Sequence, residues 1–240
     1  MQFLRIRKWD VTSSLRQLYS AAQRHYPDIL FHGDPTRPEI ALTFDDGPHP
    51  HDTPRLLDVL AGYNIRATFF LVGKGVRQHP DIVSQIHEHG HQLALHGYRH
   101  MPFPLENPST LRSHLNEART RISEICGIAA ESIRDVRPPY GAFTRRTVSL
   151  LNEWGYRLVM WNCIPPHWMQ PLRWSIRQMM DAVGPGGVVV LHDGHGHGSR
   201  VTEIVEAVVP HIQLLGLEFV TVEEMQNQRE KQTAYPEHKR

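Results

Sequence analysis

Cysteine is nearly missing. Cys126 and Cys163 are the two present in 240 residues, which excludes a disulfide framework, and neither has a second thiol at metal-ligand spacing. Both are expected to be reduced thiols by the usual compartment logic. An excess of one charge is missing too. Lys and Arg number 26 against 25 Asp and Glu, a formal net charge of +1. That balance gives no push toward nucleic acid or toward an acidic partner. No run of about 20 apolar residues exists that could span a membrane. Met1–Asp10 is basic, but Ser13, Ser14, Arg16 and Gln17 interrupt any apolar stretch behind it. No export signal is read there, so the expected location is the cytoplasm. There is also no internal repeat and no low-complexity segment.

Histidine, by contrast, is abundant, with 17 residues against 8 Phe and 5 Trp, a hint of metal or proton chemistry. With 240 residues, 40% of them hydrophobic, the chain is long enough for one large core, and a single α/β domain is the natural reading. Residues 1–38 read as an N-terminal appendage. Its short amphipathic helix would run through Leu15, Leu18, Tyr19 and Ala22, broken by Gly33, Asp34, Pro35 and Pro38. Residues 39–225 alternate strands with helices. The strand candidates are Ile40–Phe44, Ala67–Val72, Gln92–Leu95, Asp135–Arg137, Arg157–Trp161, Val188–Leu191 and Glu218–Val222. Helices are expected over Pro54–Ala61, Asp81–Glu88, Leu111–Cys126, Arg145–Trp154, Arg173–Ala182 and Val201–Leu215, with Gly62, Gly90 and Gly127 as stops. Seven such alternations predict a parallel α/β barrel or a doubly wound sheet. Residues 226–240 form a polar, charged tail with a frayed end.

The distinctive polar residues fall just after the strands, on the face where parallel barrels build their sites. Asp45-Asp46-Gly47-Pro48 follows the first strand. Adjacent carboxylates on a strand point in different directions, so one is free for a metal and the other for a water; a plain Asp-rich turn is the competing reading. His96 and His100 are four apart, which on a helical turn places both on one face, a common grip on zinc; alone, such a pair is more often a surface coincidence. Two histidines and a carboxylate leave coordination positions open for a hydrolytic ion. In Arg137-Pro138-Pro139-Tyr140-Gly141 the arginine has a fork of donors for a carboxylate. The prolines lack N–H groups, so any amide offered to a substrate there starts at Tyr140. A structural arginine in an ordinary loop fits equally well. His192 ends a buried strand where a general acid belongs, with Leu191 available to line a small apolar pocket; a satisfied core histidine is the alternative. His195 and His197 read as a solvated loop, and His49, His51, His87, His89 and His91 as surface residues.

Together and in this order, these segments resemble carbohydrate esterase family 4, the polysaccharide deacetylases with a NodB-homology domain. The resemblance runs from about Glu39 to Glu224. The family's T-F-D-D-G-P motif stands at Thr43–Pro48, its H-[ST]-x-x-H motif at His96–His100 with Gly97 in place of the hydroxyl residue, its R-x-x-x-G loop at Arg137–Gly141, and its apolar strand ending in His-Asp at Leu191–Asp193. The implied fold is a distorted (β/α) barrel of about seven parallel strands. The resemblance implies a metal-dependent deacetylase that removes N- or O-acetyl groups from a carbohydrate. Asp45 would be the base that deprotonates the attacking water, oriented by Arg137. Asp46, His96 and His100 would hold a divalent ion, zinc by preference, with cobalt, nickel or manganese compatible with the same ligands. The Tyr140 amide would stabilise the oxyanion, His192 would protonate the leaving group, and Leu191 and Trp168 would shape the substrate pocket. The fourth motif departs from the family: Cys163 and His167 stand where carboxylates are expected. A carboxylate there tunes the catalytic histidine in the family, so its loss should leave His192 easier to deprotonate. Two other readings remain open: a metal-dependent amidase acting on a small non-sugar amide or cyclic imide, and an inactive carbohydrate-binding relative.

Overall fold

The computed structural model describes residues 22–194 and 198–234. Among them lie seven strands, all parallel: β1 (Glu39–Asp45), β2 (Thr68–Leu71), β3 (Gln92–Leu95), β4 (Asp135–Val136), β5 (Arg157–Leu158), β6 (Gly187–His192) and β7 (Glu218–Phe219). The strand order is β5-β4-β3-β2-β1-β6. β6 takes one edge of β1 along its whole length, from Ile40–Gly187 to Asp45–His192. β2 joins β1 only from Thr43 onward, and β7 pairs with its start at Glu39 and Ile40. The sheet curls back on itself after β5, where Cys163 bridges to Val189 of β6. The result is a distorted barrel with helices outside.

Side chains alternate across the curled sheet, as the two-residue period of a strand requires. Ile40, Leu42 and Phe44 of β1 and Val189 and Leu191 of β6 face the helices and join the main core. Ala41, Phe70, Ala94, Val159 and Val188 face inward and form a smaller cluster with Leu30, Val222 and Met225. The outer layer is made by α1 (Asp52–Gly62), α2 (Gly73–Gln78), α3 (Pro80–Glu88), α4 (Pro108–Cys126), α5 (Arg145–Glu153), α6 (Leu172–Ala182) and α7 (Gly198–Leu214). Local chemistry sets their ends. In α4, Asn107 accepts from Ser109 N–H, Pro108 starts the first turn, and Gly127 closes the helix at φ 66°. In α5, Thr144 and Thr147 form a reciprocal capping box. No described helix is long and apolar enough to cross a membrane.

Several expectations are corrected. Of the segment before Glu39, residues 22–38 are described, and they pack on the barrel. Ile29, Leu30 and Phe31 are buried, and Leu30 bridges to Val159 beside β5. Ala22 lies in a helical turn, whereas Leu15, Leu18 and Tyr19 lie outside the described residues, as do His195 and His197. The chain past Gln226 continues as α8 (Val222–Ala234). That helix closes the barrel floor, where Val222 and Met225 enter the inner cluster and Gln226 donates to Asp135 (2.9 Å). Asp135 also accepts from Arg157 (2.9 and 3.0 Å) and Gln92 (2.6 Å), so this buried carboxylate is fully engaged. α2 was not anticipated, because a six-residue stretch with two glycines carries no helical pattern. His91 is buried rather than superficial, and its Nδ1 accepts the N–H of Ala67 at 3.1 Å. Burial, then His89 and Arg66, push its pKa down to about 4.

Candidate active site

β1, β3 and β6 end at the same rim, with Asp45 and His192 as the last residues of β1 and β6 and His96 as the first residue after β3. The loop after β4 brings Pro138, Tyr140 and Gly141, and the loop after β5 brings Trp161, Ile164 and Trp168. Together with Asp46 and His100 these residues line a cleft of about 550 Å³. Arg137 lies beneath it, with no exposed surface.

A bare guanidinium inside a barrel would cost several kcal/mol in lost hydration. Here its donors are used. Arg137 Nη1 donates to Asp45 Oδ1 (2.6 Å) and Thr43 Oγ1 (2.7 Å), and Nη2 to the Met160 carbonyl (2.9 Å). The cation also lies 3.9 Å from the centre of the Phe70 ring. Burial pulls the Arg137 pKa down, opposed first by the charge of Asp45. The pairing leaves the second oxygen of Asp45 turned toward His96, 3.9 Å from its Nε2.

Asp46, His96 and His100 form the metal-competent cluster, with one ligand atom from each all lying within 4.8 Å of one another. Asp46 Oδ1 is 3.3 Å from His96 Nε2 and 2.9 Å from His100 Nε2. A tetrahedral zinc ion sets its N and O donors about 3.3 to 3.5 Å apart; the Asp46–His96 spacing meets this, the Asp46–His100 spacing is shorter, and the donor types suit a divalent ion. His96 Nδ1 lies 2.8 Å from the Arg137 carbonyl. Donation there fixes the tautomer that leaves Nε2 as the lone-pair donor. Burial works to raise the Asp46 pKa, but the imidazoles of His100 and His96 outweigh it and hold the carboxyl well below the usual range. Burial likewise opposes protonation of His96, yet Asp45 and then Asp46 raise its pKa.

The backbone that converges these ligands is not the one expected. Asp46 reaches the cleft because the chain turns left-handed at φ 74°, not by strand alternation. His96 and His100 share a face without a helix: the chain between them bends through Gly97 at φ 72° and His100 at φ 53°. Position 97 therefore favours glycine over the family's hydroxyl residue.

His192 stands on the opposite wall. Burial lowers its pKa, against the charges of Asp45 and Asp46. Its neighbours are the rings of Trp168 at 4.7 Å and His167 at 5.3 Å. His167 is wholly buried, with Nδ1 3.1 Å from the Pro165 carbonyl. Cys163 joins the helix-facing core instead of the cleft. Tyr140 is held at φ 60°, and its ring packs against His100 (4.7 Å) with most of its surface exposed. Of the residues expected to shape the substrate pocket, Tyr140 and Trp168 line the cleft and Leu191 does not. It pairs in register with Phe44 and points into the outer core. Trp161 and Ile164 supply the apolar lining in its place.

Residues 32–159 match the family model described as polysaccharide deacetylase. A peptidoglycan-N-acetylglucosamine deacetylase of Bacillus cereus is 31% identical over 81% of this chain and 70% of its own length. A chitooligosaccharide deacetylase of Azorhizobium caulinodans is 30% identical over 74% of this chain and 89% of its own. Among solved structures, the Bc1960 peptidoglycan N-acetylglucosamine deacetylase superposes with a TM-score of 0.80 at 27% identity, covering 85% of this chain and 95% of that one. A protein of Bacillus anthracis described as a pseudoenzyme of carbohydrate esterase family 4 gives a TM-score of 0.75 at 21% identity, over 82% of this chain and 68% of that one; at that identity the likeness is one of fold. Motifs, barrel and relatives agree, and the chain belongs to the polysaccharide deacetylases of carbohydrate esterase family 4.

Proposed function

We propose that this protein is a zinc-dependent deacetylase that hydrolyses the N-acetyl group of N-acetylglucosamine units in a carbohydrate. The carrying observation is the arrangement of Asp45: one oxygen is locked to buried Arg137 at 2.6 Å, and the other faces the Asp46–His96–His100 cluster. The amide-hydrolysing relatives among the two named sugar classes support the choice of an N-acetyl group.

Asp46, His96 and His100 would hold the cation, which would supply Lewis acidity and make water more acidic. Asp45 accepts a proton from the attacking water, and Arg137 keeps its carboxylate aimed and ionised. The Tyr140 N–H, the first amide after two prolines, donates to the oxygen on which charge develops. His192, on the facing wall, gives a proton to the departing amine. Trp161 and Ile164 exclude water around the acetyl methyl group, and Trp168 and Tyr140 offer ring faces to the sugar.

Metal content of the purified protein, with acetate release from N-acetylglucosamine oligomers, acetylated xylan and small amides before and after chelation, tests the reading. One equivalent of metal and chelator-sensitive acetate release from the N-acetylglucosamine oligomers is the expected result. Hydrolysis confined to small amides would replace the carbohydrate reading with the amidase one. Bound metal with no turnover on any substrate would leave a carbohydrate-binding relative.

A further inference from the structure

The aspartate that follows His192 lies outside the cleft lining, yet it is wholly buried. Its surroundings tie together the two walls of the site. The Asp193 N–H donates to the Asp45 carbonyl at 3.2 Å, continuing the β1–β6 register past its last pair. The Asp193 carboxylate lies flat on Gly47: a Cβ placed there would stand 2.6 and 2.7 Å from its two oxygens. The contact is reciprocated, since a Cβ on Gly194 would stand 2.5 Å from the Asp46 carbonyl oxygen and 2.7 Å from the Asp46 Cβ. Thus the turn after the metal-ligand aspartate and the turn after His192 interlock, each through a glycine that lets the other approach.

One side chain fastens this contact. Thr53, fully buried in the first turn of α1, donates its hydroxyl hydrogen to Asp193 Oδ2 at 2.5 Å. Thr53 Oγ1 also accepts the N–H of His49 at 2.8 Å, so the chain leaving Asp46 is anchored to the same hydroxyl. The Gly47 carbonyl in turn accepts from Val72 at the end of β2 (2.9 Å).

We propose that Thr53 and Asp193 are positioning residues, a clasp that holds the Asp46 turn and His192 at fixed separation and so sets both metal affinity and turnover. This rests on the deacetylase reading for the roles of Asp46 and His192. Neither clasp residue lines the cleft. Their loss is therefore read as weaker metal binding and a lower kcat, with the KM for substrate little changed. Partners that orient metal ligands typically matter by about 10- to 100-fold in affinity or activity.

The test is zinc titration of the full chain after chelator stripping, by competition with a chromogenic chelator, together with kcat and KM on N-acetylglucosamine oligomers. Thr53→Val removes the hydroxyl at nearly constant volume, and Thr53→Ser restores it. A remote core truncation, Ile86→Ala in α3, serves as a control for general destabilisation. Thr53→Val should bind zinc about tenfold or more weakly and lose kcat in proportion. Thr53→Ser should stay within a few-fold of wild type, and Ile86→Ala should lower Tm without moving zinc affinity. Wild-type affinity and kcat in Thr53→Val, or an equal loss in Ile86→Ala, would overturn the clasp. If Thr53→Val does not fold, Asp193→Asn is read the same way; failure of both to fold would make the contact a requirement of the barrel and sink the proposal. A wild-type chain that binds no zinc would refute the deacetylase reading itself, which the mutant comparison alone leaves standing.

Discussion

Asp45 and Asp46 are neighbours in sequence with opposite assignments, and substitution separates them. Asp45 spends one oxygen on Arg137 and lies near the metal-competent cluster without belonging to its three ligands. Asp45→Asn should therefore keep bound zinc while acetate release falls by roughly 10²- to 10⁴-fold, the usual weight of a general base. Metal analysis and a rate measurement on the same sample decide it, and loss of zinc together with activity would make Asp45 a ligand. His167 offers a second test. Its ring is the buried neighbour of His192 on a wall where the family carries a carboxylate. A nearby anion favours imidazolium, so in His167→Asp the limb of the pH–rate profile set by proton loss from His192 should move to higher pH. An unchanged profile would mean that the altered fourth motif does not tune the acid.

At the scale of elements, what was legible depended on whether a segment repeats a pattern. β1, β3 and β6 are apolar runs with Asp or His at or just after the last residue, and their expected and observed ends agree to within about a residue. The misses have physical causes. α8 is polar on nearly every side and buries Val222, Met225 and Gln226 only because the open barrel floor receives them. Ile29–Phe31 is too short a run to register as a pairing segment. Leu191 departs from its expected place in the pocket because of the two-residue period: His192 faces the cleft, so its neighbour faces the helices. Asp46 and His100 face the cleft through left-handed turns that spacing alone does not reveal. His91 looked superficial among charged neighbours, yet it closes the start of β2. Its folded pKa, about 4, lies below the ordinary 6.5. The unfolded chain therefore binds the proton first, and the contribution of neutral His91 is complete above about pH 6.5 and is lost as pH falls toward 4. The full effect is at most about 3 kcal/mol. Urea midpoints at pH 7.5 and 5 should fall further for wild type than for His91→Asn, which keeps an acceptor for Ala67 N–H but does not titrate. Parallel pH dependences would assign the acid sensitivity to another group.

In the whole molecule, the barrel interior is a column of charge of alternating sign. Arg157 and Asp135 pair at the floor, Arg137 sits at mid-height, and Asp45 and Asp46 stand at the mouth below His96 and His100. Arg157 is matched by Asp135 and Arg137 by Asp45, which leaves the charge of Asp46 at the mouth, a position that suits a cation. Zinc that binds only the folded barrel stabilises it by mass action, by about 2.7 kcal/mol when free zinc is 100 times its dissociation constant. For a domain of this size 1 kcal/mol shifts Tm by roughly 2 to 4 °C, so the holoprotein should melt about 5 to 10 °C above the chelated form. In His100→Ala, which removes one of the three donors, most of that difference should vanish at the same zinc concentration. Asp45→Asn should retain it, because the metal-competent cluster is Asp46, His96 and His100 and the proposed role of Asp45 is on the water. Scanning calorimetry of the three proteins, each with zinc and with chelator, separates these outcomes. Equal melting with and without zinc in the wild-type chain would mean that the cluster at the mouth does not hold the ion on which the proposed chemistry depends.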